Sequence, residues 1–223
     1  MIEPEHVSTT CDAYDATADL YVQFIGTEID ATIEAALDRA QLEVFAERVA
    51  ARSGPVADVG CGPGRVAAFL AARGIDVVGF DVSRAMLDLA RAAHPSIRFE
   101  RGLLIQLPVP NGSLAGAVCW YSIIHTPPDR IDEVVTELAR SLAPGAPLLV
   151  AFQAGHGEAV HRTDLLGRPV SLTNHRHDPV DLARRLEVGG FEVNASVVRA
   201  ALAEHESTPQ AFVSASASAV RSR

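Results

Sequence analysis

Cysteine is scarce in this chain, and runs of basic residues and long apolar runs are missing altogether. Cys11, Cys61 and Cys119 are odd in number, far apart and without metal-type spacing. A disulfide framework is therefore not expected, and a reducing, cytoplasmic setting is. The first residues include Glu3, Glu5 and His6, and they lack the apolar centre of a secretory leader. No stretch is long and apolar enough to cross a bilayer, so no membrane partner is expected. The net charge of −9 and the want of a basic run argue against nucleic acid as a partner. No internal repeat is visible. A chain of 223 residues can bury a substantial core in one domain, and its composition leaves the oligomeric state open.

The chain is organised around Val56-Ala57-Asp58-Val59-Gly60-Cys61-Gly62-Pro63-Gly64. A short apolar run ends in three glycines at alternate positions, and the helix-like Arg65–Arg73 follows at once. This pattern predicts a buried strand, a tight turn and a helix start, whose open N–H groups and dipole favour a negative ligand group. Seventeen residues beyond Gly64, the apolar run Val77-Val78-Gly79-Phe80 ends in Asp81. That spacing sets a carboxylate beside the glycine turn, where it can accept from a ribose diol. A dinucleotide fingerprint would read G-x-G-x-x-G; here Arg65 takes the place of its third glycine.

The stretch resembles the first motif of the class I S-adenosylmethionine-dependent methyltransferases, D-x-G-x-G-x-G, which Asp58, Gly60, Gly62 and Gly64 match. Asp81 matches the acid that this family carries at the end of its second strand. The resemblance runs from about residue 50 to 216. It implies an α/β, Rossmann-like, seven-stranded and mostly parallel sheet with a terminal antiparallel strand, helices on both faces and an N-terminal helical lid. One domain over 1–223 is expected, with the lid over 1–52 and the α/β core over 53–216. A cap insert would occupy 153–178 and a frayed tail 217–223.

Along the chain, short apolar strands alternate with amphipathic helices from Gly54 onward, the signature of a parallel sheet. Before that point, Ile29, Ile33, Leu37, Ala40, Val44 and Phe45 recur at helical spacing. Tyr14 and Tyr21 match the two tyrosines of a Y-D-x-x-A-x-x-Y segment that lies over the cofactor site in related methyltransferases; Tyr14 could instead dock the helix on the core, and Tyr21 is expected to pack there or to contact the substrate. Phe191–Val198 and Ala211–Ser216 suggest a closing antiparallel pair, joined by a charged, exposed link over Arg199–Pro209.

The resemblance implies S-adenosylmethionine as cofactor, with S-adenosylhomocysteine as its product, and a small-molecule substrate. Asp81 would take the ribose hydroxyls, and the backbone of Gly60, Cys61 and Gly62 would pass beneath the cofactor. Asp58 would order the glycine loop from below. Val82 and Met86 would flank the adenine, although Met86 could equally pack its helix on the sheet. The family's acid after the third strand is missing beyond Gly102, which leaves Leu103 or Leu104, with Gln106, to meet the adenine edge. Tyr121 would lie beneath the methionine part. His125 is a candidate base for an acceptor hydroxyl, or else a residue that caps a turn. Four histidines fall in the insert, which would lie over the site as a substrate cap whose His and Arg residues hold a polar or acidic acceptor; the alternative is that most of these histidines are exposed or structural. No metal is expected, since His175-x-His177 has no cysteine or carboxylate partner. The function that follows is methyl transfer, with oxygen the expected target, because no N-P-P-Y tetrapeptide follows the fourth strand. The alternatives are an NAD-dependent oxidoreductase, which lacks its Tyr-x-x-x-Lys pair here, and a non-catalytic S-adenosylmethionine-binding protein.

Overall fold

The fold is described from a computed structural model that covers residues 4–202 and 206–219. Val56–Val59 (β1) is buried along its whole length, as a strand covered on both faces requires: Val56, Ala57 and Val59 are apolar, and the buried Asp58 accepts from the Ala67 N–H. It pairs in parallel with Val77–Asp81 (β2) on one side and Gly116–Trp120 (β4) on the other. Arg98–Arg101 (β3) extends the sheet beyond β2, and Pro147–Gln153 (β5) lies beside β4. Gln210–Ala217 (β9) then inserts antiparallel between β5 and Phe191–Arg199 (β8). The seven strands run β3-β2-β1-β4-β5-β9-β8, so the antiparallel strand is the last in sequence and β8 forms the edge.

Helices cover both faces because side chains alternate across each strand. Ala57 and Val59 point into one core with Ile131–Ser141 (α5) and Pro179–Val188 (α6). Val56 points into the other with Ala36–Ala50 (α2), Arg65–Ala71 (α3) and Arg84–Ala93 (α4). The strand order reverses between β1 and β4, the place where a doubly wound sheet opens a crevice at its carboxyl ends. Glu5–Ile25 (α1) lies across that end.

The apolar spacing from Ile29 to Phe45 does not make one helix. Residues 26–35 form turns, and α2 starts at Ala36. Asp30 Oδ1 accepts from the N–H and hydroxyl of Thr32 at 2.6 and 2.5 Å, a local turn that competes with helix. The helix also buries a different face from the expected one. Leu37 and Val44 are exposed, whereas Asp38, Leu42, Phe45, Ala46 and Val49 face inward. Asp38 is buried because Arg199 meets it there, with Arg199 Nε 2.6 Å from Asp38 Oδ1. The segment expected as an exposed link therefore begins with a buried arginine, which also pairs with Glu206. Of the expected frayed tail, Ala217 closes β9, and residues 220–223 lie outside the described ones.

The expected cap insert is a two-stranded hairpin, Ala159–Leu165 (β6) and Arg168–His175 (β7). It does not cover the crevice. Its buried residues, Leu172 and Asn174, are on β7, which packs on α1 and on the short turn Ile123–His125. Arg168 holds the outside of α1 through Asp19 at 2.8 Å. The cap thus braces the lid from behind.

Candidate active site

A cleft of about 140 Å³ opens at the carboxyl ends of β1, β2 and β4, beneath α1. Its floor follows from backbone geometry. Gly60 has φ 76°, and a Cβ there would sit 2.2 Å from the Ser122 Cβ. Only glycine serves at such a point. Gly64, with φ 86°, begins α3 in the left-handed region. Asp58 lies below this loop, 1% exposed, and accepts from the Ala67 N–H at 2.9 Å. Burial pushes its carboxyl up to about 7. It supports the loop and does not line the cleft.

Asp81 does line it. Its Oδ2 accepts from Gly62 N–H at 2.8 Å and its Oδ1 from Ser83 N–H at 2.9 Å. Each oxygen keeps a further lone pair, so the carboxylate can take two more donors from a vicinal diol. Burial raises its pKa, and these N–H donors pull it back. Gly60, Gly62, Val82, Met86, Leu104 and Tyr121 share the cleft lining. Cys61 and Leu103 do not: the Cys61 side chain is buried in the core, and Leu103 pairs with Gln106 through two backbone hydrogen bonds. That tight turn presents Leu104 and Ile105 to the cleft, and Gln106 is exposed.

Two features mark the end of β4. Tyr121 holds φ 58° without being glycine, a conformation worth about 1–2 kcal/mol of strain and one concentrated at ligand sites. Trp120 lines the cleft with its Nε1 buried and no hydrogen-bond partner among the described residues. A buried N–H without an acceptor is costly. A glycine cradle and a carboxylate placed for a ribose in the same cleft suit the cofactor that the glycine motif implies.

The lid is fastened by residues of its own helix. Asp15 Oδ1 accepts from the Ser83 hydroxyl at 2.5 Å and from Ala85 N–H at 3.1 Å, so α1 helps cap α4. Behind the lid, Arg65 Nη2 reaches Glu34 at 2.6 Å and its Nε reaches the Glu28 carbonyl at 3.0 Å. Both side chains are buried.

Tyr14 and His125, 111 positions apart, meet across the cleft with Tyr14 Oη 2.9 Å from His125 Nε2. The other ring nitrogen, Nδ1, lies 3.3 Å from the Thr173 carbonyl of β7. A carbonyl accepts only, so Nδ1 carries the proton and Nε2 accepts from the Tyr14 hydroxyl. Burial pushes the His125 pKa down to about 4, against a small lift from the Thr173 carbonyl. Burial, followed by the neighbouring Tyr21 hydroxyl, raises Tyr14 well above its ordinary value. The pair is neutral at pH 7. His177, from the insert, is buried rather than exposed and holds the Ile123 carbonyl of the same turn at 3.1 Å.

Sequence reasoning passed over His6, Val7, Thr10, Ile105, Trp120, Ser122, Ile124 and Thr126 as lining residues. The helical phase of Tyr14 could have found the α1 trio, since Val7 and Thr10 lie seven and four residues before it on the same face.

Residues 56–145 match a family described as the methyltransferase domain. An O-methyltransferase of Pyrenophora dematioidea is 32% identical over 127 residues, covering 54% of this chain and 47% of the relative. The chain spans about half the length of the curated relatives it matches. Among solved structures, the [4+2]-cyclase SpnF superimposes with a TM-score of 0.72 at 19% identity, over 95% of this chain and 96% of that one. The DhpI complex with S-adenosylhomocysteine gives 0.72 at 19% identity, over 97% and 99%. At such identities these two structures speak for the fold alone.

Proposed function

We propose that this chain is a class I S-adenosylmethionine-dependent methyltransferase and that it transfers a methyl group to a hydroxyl oxygen of a small organic molecule. The reading rests on one arrangement: a single cleft joins the glycine loop and Asp81 to the neutral Tyr14–His125 pair. When bound, S-adenosylmethionine supplies an electrophilic methyl group on a sulfonium. The chain's own residues do the rest. Asp81 holds the ribose, and Gly60 and Gly62 let the backbone approach. Leu104, Val82 and Met86 flank the adenine.

Positioning supplies much of the rate in a displacement of this kind. His125 adds a place for the acceptor's proton. Because Tyr14 Oη gives its hydrogen to His125 Nε2, its lone pairs remain free to accept from a substrate hydroxyl. As the oxygen attacks, its proton passes to Tyr14 Oη, and the tyrosine proton passes to His125 Nε2. The neutral tautomer required for this is fixed by the Thr173 carbonyl. An NAD-dependent reading is less well supported. Arg65 fills the position where a dinucleotide loop packs a glycine, and its guanidinium is bound to Glu28 and Glu34.

Calorimetric titration with S-adenosylmethionine, S-adenosylhomocysteine and NAD tests the cofactor. Micromolar binding of the first two and none of NAD is expected; NAD binding alone would overturn the assignment. Once an acceptor is in hand, His125→Ala should cut turnover roughly 10²- to 10⁴-fold with cofactor affinity intact. Near-normal turnover would leave His125 a packing residue.

A further inference from the structure

We propose that the acceptor is an uncharged, largely apolar molecule bearing a hydroxyl group, and that carboxylate acceptors are refused. This rests on the methyl-transfer reading above. With the cofactor groups assigned, the walls left to an acceptor beside Tyr14 and His125 are His6, Val7, Thr10 and Tyr21 of the lid, together with Ile105, Ser122, Ile124 and Thr126. No arginine lines the cleft among the described residues, and the chain contains no lysine.

The two histidines in the cleft are not cations at neutral pH. Burial draws His6 below its ordinary value, helped by nearby Arg130, and it pushes His125 to about 4. Arg130 is bound to Glu133 at 2.6 Å, and Arg162 acts on Tyr14 and His125 only through space. The fixed charge present is that of Asp81, which has the wrong sign. A carboxylate entering this cleft would lose its hydration and meet no paired cation from the protein, an unfavourable arrangement. Thr10 cannot compensate, because its hydroxyl proton is given to the His6 carbonyl at 2.7 Å, and the hydroxyls of Tyr21, Ser122 and Thr126 offer a hydrogen bond but no countercharge.

A hydroxyl is placed differently. Tyr14 Oη has already donated to His125 and presents an acceptor, so it selects for a group that brings its own proton. A site built to hydrogen-bond one group discriminates strongly against a molecule that leaves its polar atoms unpaired. The aliphatic side chains around it suit the apolar body of the molecule.

The test is calorimetric titration of the full chain, saturated with S-adenosylhomocysteine at pH 7.5, with 2-naphthol and with 2-naphthoate. The two share a ring system and differ in the charge of the substituent. Naphthol is expected to bind at least tenfold more tightly. Val7→Arg, which places a cation in the cleft, should narrow or reverse the ratio. A second series with sinefungin, whose amine keeps a positive charge near the sulfonium position, should leave naphthol ahead. Naphthoate binding as well as naphthol in either series would overturn the proposal. So would the failure of both probes to bind, or a ratio untouched by Val7→Arg. A protein that takes up neither S-adenosylhomocysteine nor sinefungin fails at the earlier step and overturns the methyl-transfer reading itself.

Discussion

His177 should make this protein acid-sensitive by a calculable amount. Its ring is 5% exposed and donates from Nε2 to the Ile123 carbonyl. Burial lowers its pKa from 6.5 to about 4. In the unfolded chain it takes a proton near pH 6.5, whereas in the folded chain it does so only near pH 4. Between those values the unfolded state binds more protons, so stability falls as pH falls. From pH 7.5 to 5 the loss due to this one group is about 2 kcal/mol, and it grows to about 3 below pH 4. His177→Gln keeps a donor for Ile123 and removes the titration. Urea unfolding of both proteins at pH 7.5 and 5 reads the difference. The variant should lose about 2 kcal/mol less than the parent between the two conditions, whatever its stability at pH 7.5. Asp58, whose raised pKa works in the opposite sense, is common to both proteins and cancels. Equal losses in the two proteins would refute the burial argument.

Three further outcomes are expected. Asp81→Asn should weaken S-adenosylhomocysteine binding roughly 10- to 100-fold through its charged hydrogen bonds, and calorimetry showing unchanged affinity in a folded variant would remove Asp81 from the ribose. Gly60→Ala should abolish that binding and lower stability by roughly 1–3 kcal/mol, since its Cβ would collide with Ser122 in a left-handed backbone; a fully binding alanine variant would disprove the cradle. Asp15→Ala removes the acceptor that α1 offers to the start of α4, so amide exchange should accelerate across Glu5–Ile25 and stay unchanged in β1. Uniform exchange in the two proteins would show that the lid is fastened elsewhere.

What could be read in the chain is what its chemistry settles locally. Asp58 to Gly64 and Asp81 declare a strand, a turn and a carboxylate within a few residues of one another, and the sheet follows from apolar runs punctuated by glycine and proline. The lid helix was legible in Tyr14 and Tyr21, and the phase of α2 was not, because a buried Asp38 reads as a polar face until Arg199 is placed beside it. The hairpin of the insert carries polar residues on a solvated side, so its four histidines gave no sign that His177 turns inward. The Tyr14–His125 contact joins segments 111 positions apart, and no local pattern specifies such a meeting. Leu104 displaced Leu103 from the cleft for a similar reason: a two-bond turn at Leu103 and Gln106 decides which of two adjacent leucines points where.

Arg65 stands where a dinucleotide fold would need the smallest of residues, and its side chain reaches away from the cleft to Glu28 and Glu34. One guanidinium therefore ties the connection between α1 and α2 to the first turn of α3, directly behind the glycine loop. The doorway and the floor of the pocket share a hinge pin. A cut, an insertion or a fused tag within 26–35 would be felt where the cofactor lies, although no atom of that segment lines the cleft, and any molecule that stiffens the floor will by the same bond steady the door.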